Sequence, residues 1–254
     1  KETALEVEKE YGKAKLFLAA NTLAHIPDIN SVFEGLDTLL THDGVVITED
    51  PYLLNLFQKI SYDQIYDEHV FIFSLTAMMN ICNKYNLEVF DIEYLGTAGG
   101  SLRYYISRKG VYNKTERLQD CMNVEESLKL YENDTYIAFK ENCEISKEKL
   151  LSALIEVKNN NRTIGGYGAT SKSTTIFNYC NIGPDLIDYI TDTTPTKINK
   201  LSPGKHIPIY NYNYFLNNIP DCIYLLAWTH KKEIMEKEKN NFNGHWIIHN
   251  QWQK

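Results

Sequence analysis

Apolar residues in this chain come in short runs separated by stretches of helical spacing, and the alternation of the two periods sets the expected fold. Residues 15–20 (KLFLAA) and 44–48 (GVVIT) are runs of strand length, and between them Ile29, Val32, Phe33, Leu36, Leu39 and Leu40 recur as on one face of a helix. A strand, helix, strand unit with a parallel pair follows, because the crossover is long enough and both strands read as buried on two faces. Asn30 or Asp28 can cap the helix, and Asp43-Gly44 supplies a turn before the second strand. Next come a helix over about 51–59, a polar aromatic segment over 61–73 (SYDQIYDEHVFIF) and a helix over 74–85. The alternating stretch 87–95 (LEVFDIEYL), a turn at 97–100 and a returning strand at 101–108 predict an antiparallel pair.

Residues 109–143 are mostly charged and helical in pattern, with 125–136 the clearest piece, which suits a connecting arm. Residues 145–159 form an amphipathic helix through Leu150, Leu151, Leu154 and Ile155, and Asn159-Asn160-Asn161 can end it through the tolerance of Asn for the left-handed region. A second α/β start follows: a strand at 162–167 (RTIGGY), a tight loop at 168–171 and a helix at 172–179. Strands at 186–191, 207–210, 222–228 and 245–248 and a helix at 231–239 complete it. The expected fold class is therefore α/β, with segments 1–110, a helical arm 111–144 and a second α/β segment 145–254.

Composition narrows the function. The 254 residues are 43% hydrophobic and 23% charged, as in an ordinary globular chain. With 26 Lys+Arg against 33 Asp+Glu the net charge is −7, so no global positive field exists to gather nucleic acid or anionic lipid. Apolar runs such as 16–20 and 223–228 fall far short of the ~18 residues that a membrane span needs. Cys82, Cys121, Cys143, Cys180 and Cys222 are widely spaced, with no C-x-x-C pair, which suits reduced thiols and a cytoplasmic setting. Asn-x-Thr triplets at Asn113, Asn133 and Asn161 are what an Asn-rich chain produces by chance. The chain opens on Lys1, and residues 2–10 read as the end of an amphipathic helix, so a longer polypeptide is expected.

Four stretches could carry chemistry. Residues 62–69 (YDQIYDEH) gather Tyr66, Asp67, Glu68 and His69 near the carboxyl edge of a parallel sheet, where ligand sites of open α/β sheets lie. A carboxylate beside an imidazole can orient it as a general base, although an acidic surface loop with one histidine has the same composition. His25, in NTLAHIPD, follows a parallel strand as Asn21 does and could share a pocket with His69; alternatively it is a loop histidine bonded to backbone. His25, Glu68 and His69 are possible metal ligands in type but lack metal-specific spacing. Residues 165–174 (GGYGATSKST) end a strand and open a helix, so Gly168 and Lys172 could meet an anion, with Asp192 at a workable distance for a ribose. Ser171 breaks both the G-x-x-x-x-G-K-[ST] and the G-x-G-x-x-G patterns, and a plain packing turn is the alternative. Residues 99–103 (GGSLR) offer another anion contact through Arg103, or are a simple hairpin turn.

NTLAHIPD, GVVITEDPYL, YDQIYDEHVFIFS, GGSLR, GYGATSK and the stretch 192–208 ending KLSPGKHIPI occur in the order found in nucleotide-sugar C-methyltransferases, which the chain resembles over nearly its whole length. The resemblance implies the second half of a class I, Rossmann-like methyltransferase domain followed by a C-terminal Rossmann-like domain that helps hold the nucleotide sugar. It implies S-adenosyl-L-methionine as cofactor, with Asn21 on its methionine side, and zinc only in an N-terminal domain with no counterpart here. That domain and the first three strands would belong to an upstream half, in the same or a separate chain. YDEH is similar to the family's Tyr-His-Glu-His: Tyr66, Glu68 and His69 match and Asp67 departs. The implied roles are His69 as the base that removes the proton α to the sugar's ketone, Glu68 and Tyr66 shaping the pocket and stabilising the enolate, and His25 as a second active-site histidine. Arg103, Ser101, Gly168 and Lys172 are the implied contacts to substrate. A non-catalytic module that binds a nucleotide sugar, or a degenerate paralogue, is the competing reading, and a dehydrogenase built on the second Rossmann-like segment is a third.

Overall fold

Local signals start most of the elements. The computed structural model describes residues 1–249. The end of the segment expected over 145–254, residues 250–254, lies outside the described residues. The elements group into two units, residues 1–58 with 67–137 and residues 59–66 with 138–254.

In the first unit, α1 (Glu2–Tyr11) leads into β1 (Ala14–Ala20), α2 (Ile29–Leu39), β2 (Leu40–Pro51), α3 (Leu53–Lys59), α4 (Leu75–Lys84), β3 (Leu87–Leu95), β4 (Ser101–Arg108) and α5 (Glu116–Ser127). Side chains accept from the first-turn amides of the helices, as capping requires: Asp28 from Ser31 N–H at α2, Ser74 from Ala77 N–H at α4 and Thr115 from Leu118 N–H at α5. The sheet order is β1-β2-β4-β3, with β1 parallel to β2 and β4 antiparallel to both its neighbours. The turn expected at Asp43-Gly44 is instead an irregularity within β2: Ala14 lies opposite Leu40 and Leu16 opposite Val45, so the intervening residues bulge out of register.

One face of this sheet carries Val46, Val89, Ile92, Leu102, Tyr104 and Ile106, all buried, and packs on Phe33, Leu36, Leu75, Met78, Leu118 and Cys121 of the helices. On the opposite face Leu16 and Leu18 of the edge strand are 54% and 66% exposed beside half-buried Val45 and Ile47, their partners in β2.

The helix expected over 125–136 is interrupted at residues 128–132, between α5 and α6 (Asn133–Asn159), with Lys129 in the left-handed region at φ 52°. Glu125, near the end of α5, is buried rather than solvated. Its carboxylate accepts from Tyr52 OH (2.8 Å), Leu75 N–H (2.6 Å), Thr76 N–H (2.9 Å) and Thr76 Oγ1–H (2.7 Å), and so clamps the start of α4 to α5.

In the second unit a parallel sheet runs β7-β6-β5-β8-β9: β5 (Ile164–Tyr167), β6 (Tyr189–Thr191), β7 (Ile209–Tyr210), β8 (Cys222–Leu225) and β9 (His245–Ile247). Its helices are most of α6, α7 (Ser171–Cys180), α8 (Tyr212–Asn217) and α9 (Lys231–Glu238). The chain steps outward from β5 to β6 and β7, then returns to β8 on the other side, which creates a switch point between β5 and β8. Leu150, Leu154, Ile164, Ile176, Phe177, Ile190 and Tyr224 form its core. Asn161 is left-handed at φ 54°, as the Asn run required. Helix α8 was not expected from the pattern, and Asn211 caps it by accepting from Tyr214 N–H at 2.9 Å. The strand expected over 186–191 is shortened because Leu186 and Ile187 turn back onto Gly183 O.

Glu125→Ala leaves the first amides of α4 and the Tyr52 hydroxyl without their shared acceptor, and should destabilise the first unit by about 2–4 kcal/mol. Urea denaturation followed by tyrosine fluorescence measures it; a change below about 0.5 kcal/mol would show that water replaces the carboxylate.

Candidate functional site

In the first unit the carboxyl ends of β1 and β2 hold the loop that carries His25. At the end of β1, Asn21 takes a left-handed conformation (φ 50°) and donates its backbone N–H to Glu49 O at 2.6 Å. Residues Leu23–His25 then form a single 3-10 turn. Beneath that turn lies Asp50, fully buried, with Oδ1 accepting from Ala24 N–H at 3.0 Å and Oδ2 from Thr48 Oγ1–H at 3.1 Å. Burial pushes the Asp50 carboxyl up to about 6, against the opposing pull of the Ala24 amide, the Thr48 hydroxyl and His25.

The His69 segment joins the same loop. Phe71 N–H donates to Ala24 O at 3.1 Å, and the His25 and His69 rings meet edge to face with centroids 5.1 Å apart. Two histidines far apart in sequence thus come together at the sheet edge. Glu68 and Asp67 are exposed, while Tyr66 is half-buried and falls in the segment grouped with the second unit. Asp50 escaped the sequence reading, although a signal for it existed. Counting by two from Val46 along β2 reaches Thr48 and Asp50, which places an acidic residue on the buried face.

Arg103 stands on β4 between two carboxylates, with Nη2 3.1 Å from Glu49 Oε2 and Nη1 2.9 Å from Glu93 Oε2. Thr97 Oγ1–H and Tyr105 OH donate to the same two acids. An anion arriving here would have to compete for a guanidinium that is already paired. Ser101 is buried, and its hydroxyl donates to Thr97 O at 3.2 Å.

In the second unit Gly168 follows β5 at φ 87°, and a Cβ there would lie 2.8 Å from the Cβ of Ala227, so only glycine suits the position. A cavity of about 280 Å³ opens at the switch point, lined by Tyr167, Gly168, Asp192, Tyr212, His230 and Lys237 among others. Lys237 Nζ sits 4.0 Å over the Tyr212 ring and 3.2 Å from Tyr167 OH. Both phenols donate to buried Glu238, at 2.6 Å from Tyr167 and 2.8 Å from Tyr212. Asp192 is engaged in holding its own loop: Ala169 N–H and Thr194 N–H each donate to it at 2.7 Å. Those bonds and Lys197 outweigh burial and keep its carboxyl below the usual range.

Lys172 lies outside this cavity lining, on α7, where burial lowers its ammonium pKa against the opposing charge of Asp63. Asp63 itself accepts from Trp228 Nε1–H at 2.7 Å and lies 3.5 Å from His249 Nε2. Gly168 and Lys172 therefore serve different surroundings. Among the described residues no group of three or more His, Cys, Asp or Glu could hold a metal ion, and no helix is long and apolar enough to cross a membrane.

The family described as C-methyltransferase C-terminal domain matches residues 96–249, more than half of the chain. The chain belongs to this family. C-methyltransferase NovU of Streptomyces niveus is 30% identical over 239 residues, which cover 94% of this chain and 57% of that protein. The chain thus spans little more than half the length of this curated relative. Among solved structures, a complex of LepI with SAM aligns at a TM-score of 0.33 and 10% identity over 38% of this chain and 27% of that one. Magnesium protoporphyrin IX methyltransferase of Synechocystis PCC 6803 with bound SAH aligns at 0.31 and 13% over 38% of this chain and 46% of that one. Scores of this size do not establish a common fold; the α/β class rests on the two sheets themselves.

The raised pKa of Asp50 has a sign that can be measured. Because the folded value, about 6, lies above the ordinary carboxyl value of 3.8, the group contributes stability that is fully present below the lower value and lost as pH rises through the upper one. A rise of this size corresponds to about 3 kcal/mol. Asp50→Asn should therefore match wild type near pH 4 and exceed it by up to about 3 kcal/mol at pH 7 in urea denaturation. A constant difference across that range would mean that Asp50 is ionised throughout.

Proposed function

We propose that this chain carries the proton-abstracting and sugar-binding part of an S-adenosylmethionine-dependent C-methyltransferase that acts on a nucleotide-linked keto-deoxysugar. The single observation that carries the reading is the His25–His69 pair, with ring centroids 5.1 Å apart at the carboxyl edge of the parallel strands β1 and β2. Family membership and the C-methyltransferase activity by which the relative is named support methyl transfer to carbon.

A proton α to a ketone is weakly acidic, so its removal needs a positioned base together with donors at the developing enolate oxygen. His69 is the base in this reading and His25 shares the site. Glu68 and Tyr66 shape the pocket, and Tyr66 has the phenolic donor that an enolate oxygen requires. The cofactor supplies an electrophilic methyl group on a sulfonium. Asn21 fits one end of it: its side chain is exposed at the end of β1 and makes no hydrogen bond among the described residues, so its donors and its acceptor are available to a ligand. Substrate contacts fall to Ser101 and Arg103 in the first unit and to Gly168 and Lys172 in the second. The cavity that Gly168 lines has the aromatic and cationic side chains that a nucleotide with its phosphates would use. A cytoplasmic setting and dependence on the remainder of a longer protein complete the proposal.

In the intact protein, incubated with a nucleotide-linked keto-deoxysugar in D2O, His69→Gln should abolish loss of the α-proton NMR signal. His25→Ala should slow it less completely. A general base contributes about 10²- to 10⁴-fold, so the loss stands well above background. Exchange at the wild-type rate in His69→Gln would remove His69 from the role and move His25 into it. No exchange even in the wild-type protein would favour a non-catalytic nucleotide-sugar-binding module.

A further inference from the structure

We propose that Asp50 is the positioning residue of the His25–His69 pair, acting through the backbone of Ala24. The inference rests on the reading of that pair as the proton-abstracting site. Three connected contacts carry it. Asp50 Oδ1 accepts the Ala24 N–H at 3.0 Å, the carbonyl of the same residue accepts the Phe71 N–H at 3.1 Å, and the two rings meet at 5.1 Å. Ala24 is thus gripped on both sides, by the end of β2 through its N–H and by the His69 segment through its C=O. Ala24 is itself 1% exposed, so water cannot readily replace either partner.

The other carboxylate oxygen is fixed as well, by Thr48 Oγ1–H at 3.1 Å on the same strand. Both oxygens of a short, stiff side chain are therefore held, and the loop inherits the rigidity of the sheet. A neutral acceptor could meet the Ala24 amide equally well. What the carboxylate adds is negative charge behind His25, which stabilises an imidazolium formed when the pair takes up a proton. Tyr104 of β4 and the Thr22 backbone also face this carboxylate, and neither brings a cation to it. The histidine pair is thus the natural recipient of its charge.

The test separates hydrogen bond from charge, using Asp50→Ala and Asp50→Asn. In wild type, a nuclear Overhauser contact should join the protons of the His25 and His69 rings, whose centroids lie 5.1 Å apart. In Asp50→Ala that contact should vanish and the Ala24 amide should lose its hydrogen-exchange protection. Asp50→Asn should restore both, because its amide oxygen still accepts from Ala24. With substrate in D2O, the α-proton exchange rate of Asp50→Ala should fall about 10²-fold, the cost of a displaced catalytic group, with KM unchanged. Asp50→Asn should recover part of that rate but not all, since the charge is gone.

An intact ring contact in Asp50→Ala would overturn the proposal. So would its absence in wild type, or its loss in Asp50→Asn while the Ala24 amide stays protected. If Asp50→Ala does not fold, the Asn variant decides by the same ring contact. His69→Gln keeps the two inferences apart: wild-type exchange there sinks the base assignment, whereas the ring contact judges Asp50 independently of activity.

Discussion

A carboxylate taken out of water must find donors within the protein, and several of the long-range ties in this chain are made in that way. Asp50, Asp63, Glu125 and Glu238 are each 2% exposed or less. Glu125 holds Tyr52 and the first turn of α4, and Asp50 holds the loop after β1. In the second unit Asp63 accepts from Trp228, and Glu238 joins Tyr167 of β5 to Tyr212 of α8. Apolar contacts build the two cores, but they are tolerant of small shifts; a carboxylate with fixed donors is not. The geometry of the candidate site follows from one such tie.

How much of this was legible in the sequence depended on whether the signal was local. Strand β1, helix α2 and the pair β3–β4 follow from periodicity and capping residues, and His25 and His69 were recognisable because each follows a strand-like run or stands among acids. Acidic residues with nonlocal partners were misread. Glu125 sits in a charged stretch read as a connecting arm, yet its partners lie 49 to 73 residues away in sequence. Asp43-Gly44 looked like a turn because that dipeptide usually is one, whereas pairing with β1 draws it into an irregular strand. Asp192 stands where a ribose acid would, but loop amides take both its oxygens.

Arg103 and Gly168 illustrate how residue type and surroundings divide the work. Type alone made Arg103 an anion ligand, while its surroundings make it the centre of an ion-pair cluster with Glu49 and Glu93. A substrate phosphate there would exchange one partly buried pairing for another, and such exchanges favour selectivity over raw affinity. Gly168 needs no side chain to matter. It lets β5 turn tightly against Ala227, and the cavity at the switch point exists because the chain makes that turn.

Leu16 and Leu18 present an apolar strip on β1, which among the described residues pairs with β2 alone. Such a surface makes stability a property of the solution as well as of the fold. Anything that covers the strip binds the folded state and not the unfolded one, so it raises the melting temperature by mass action. Self-association through the same strip would do likewise, and the apparent stability of this chain then climbs with its own concentration, as it does for a dimer.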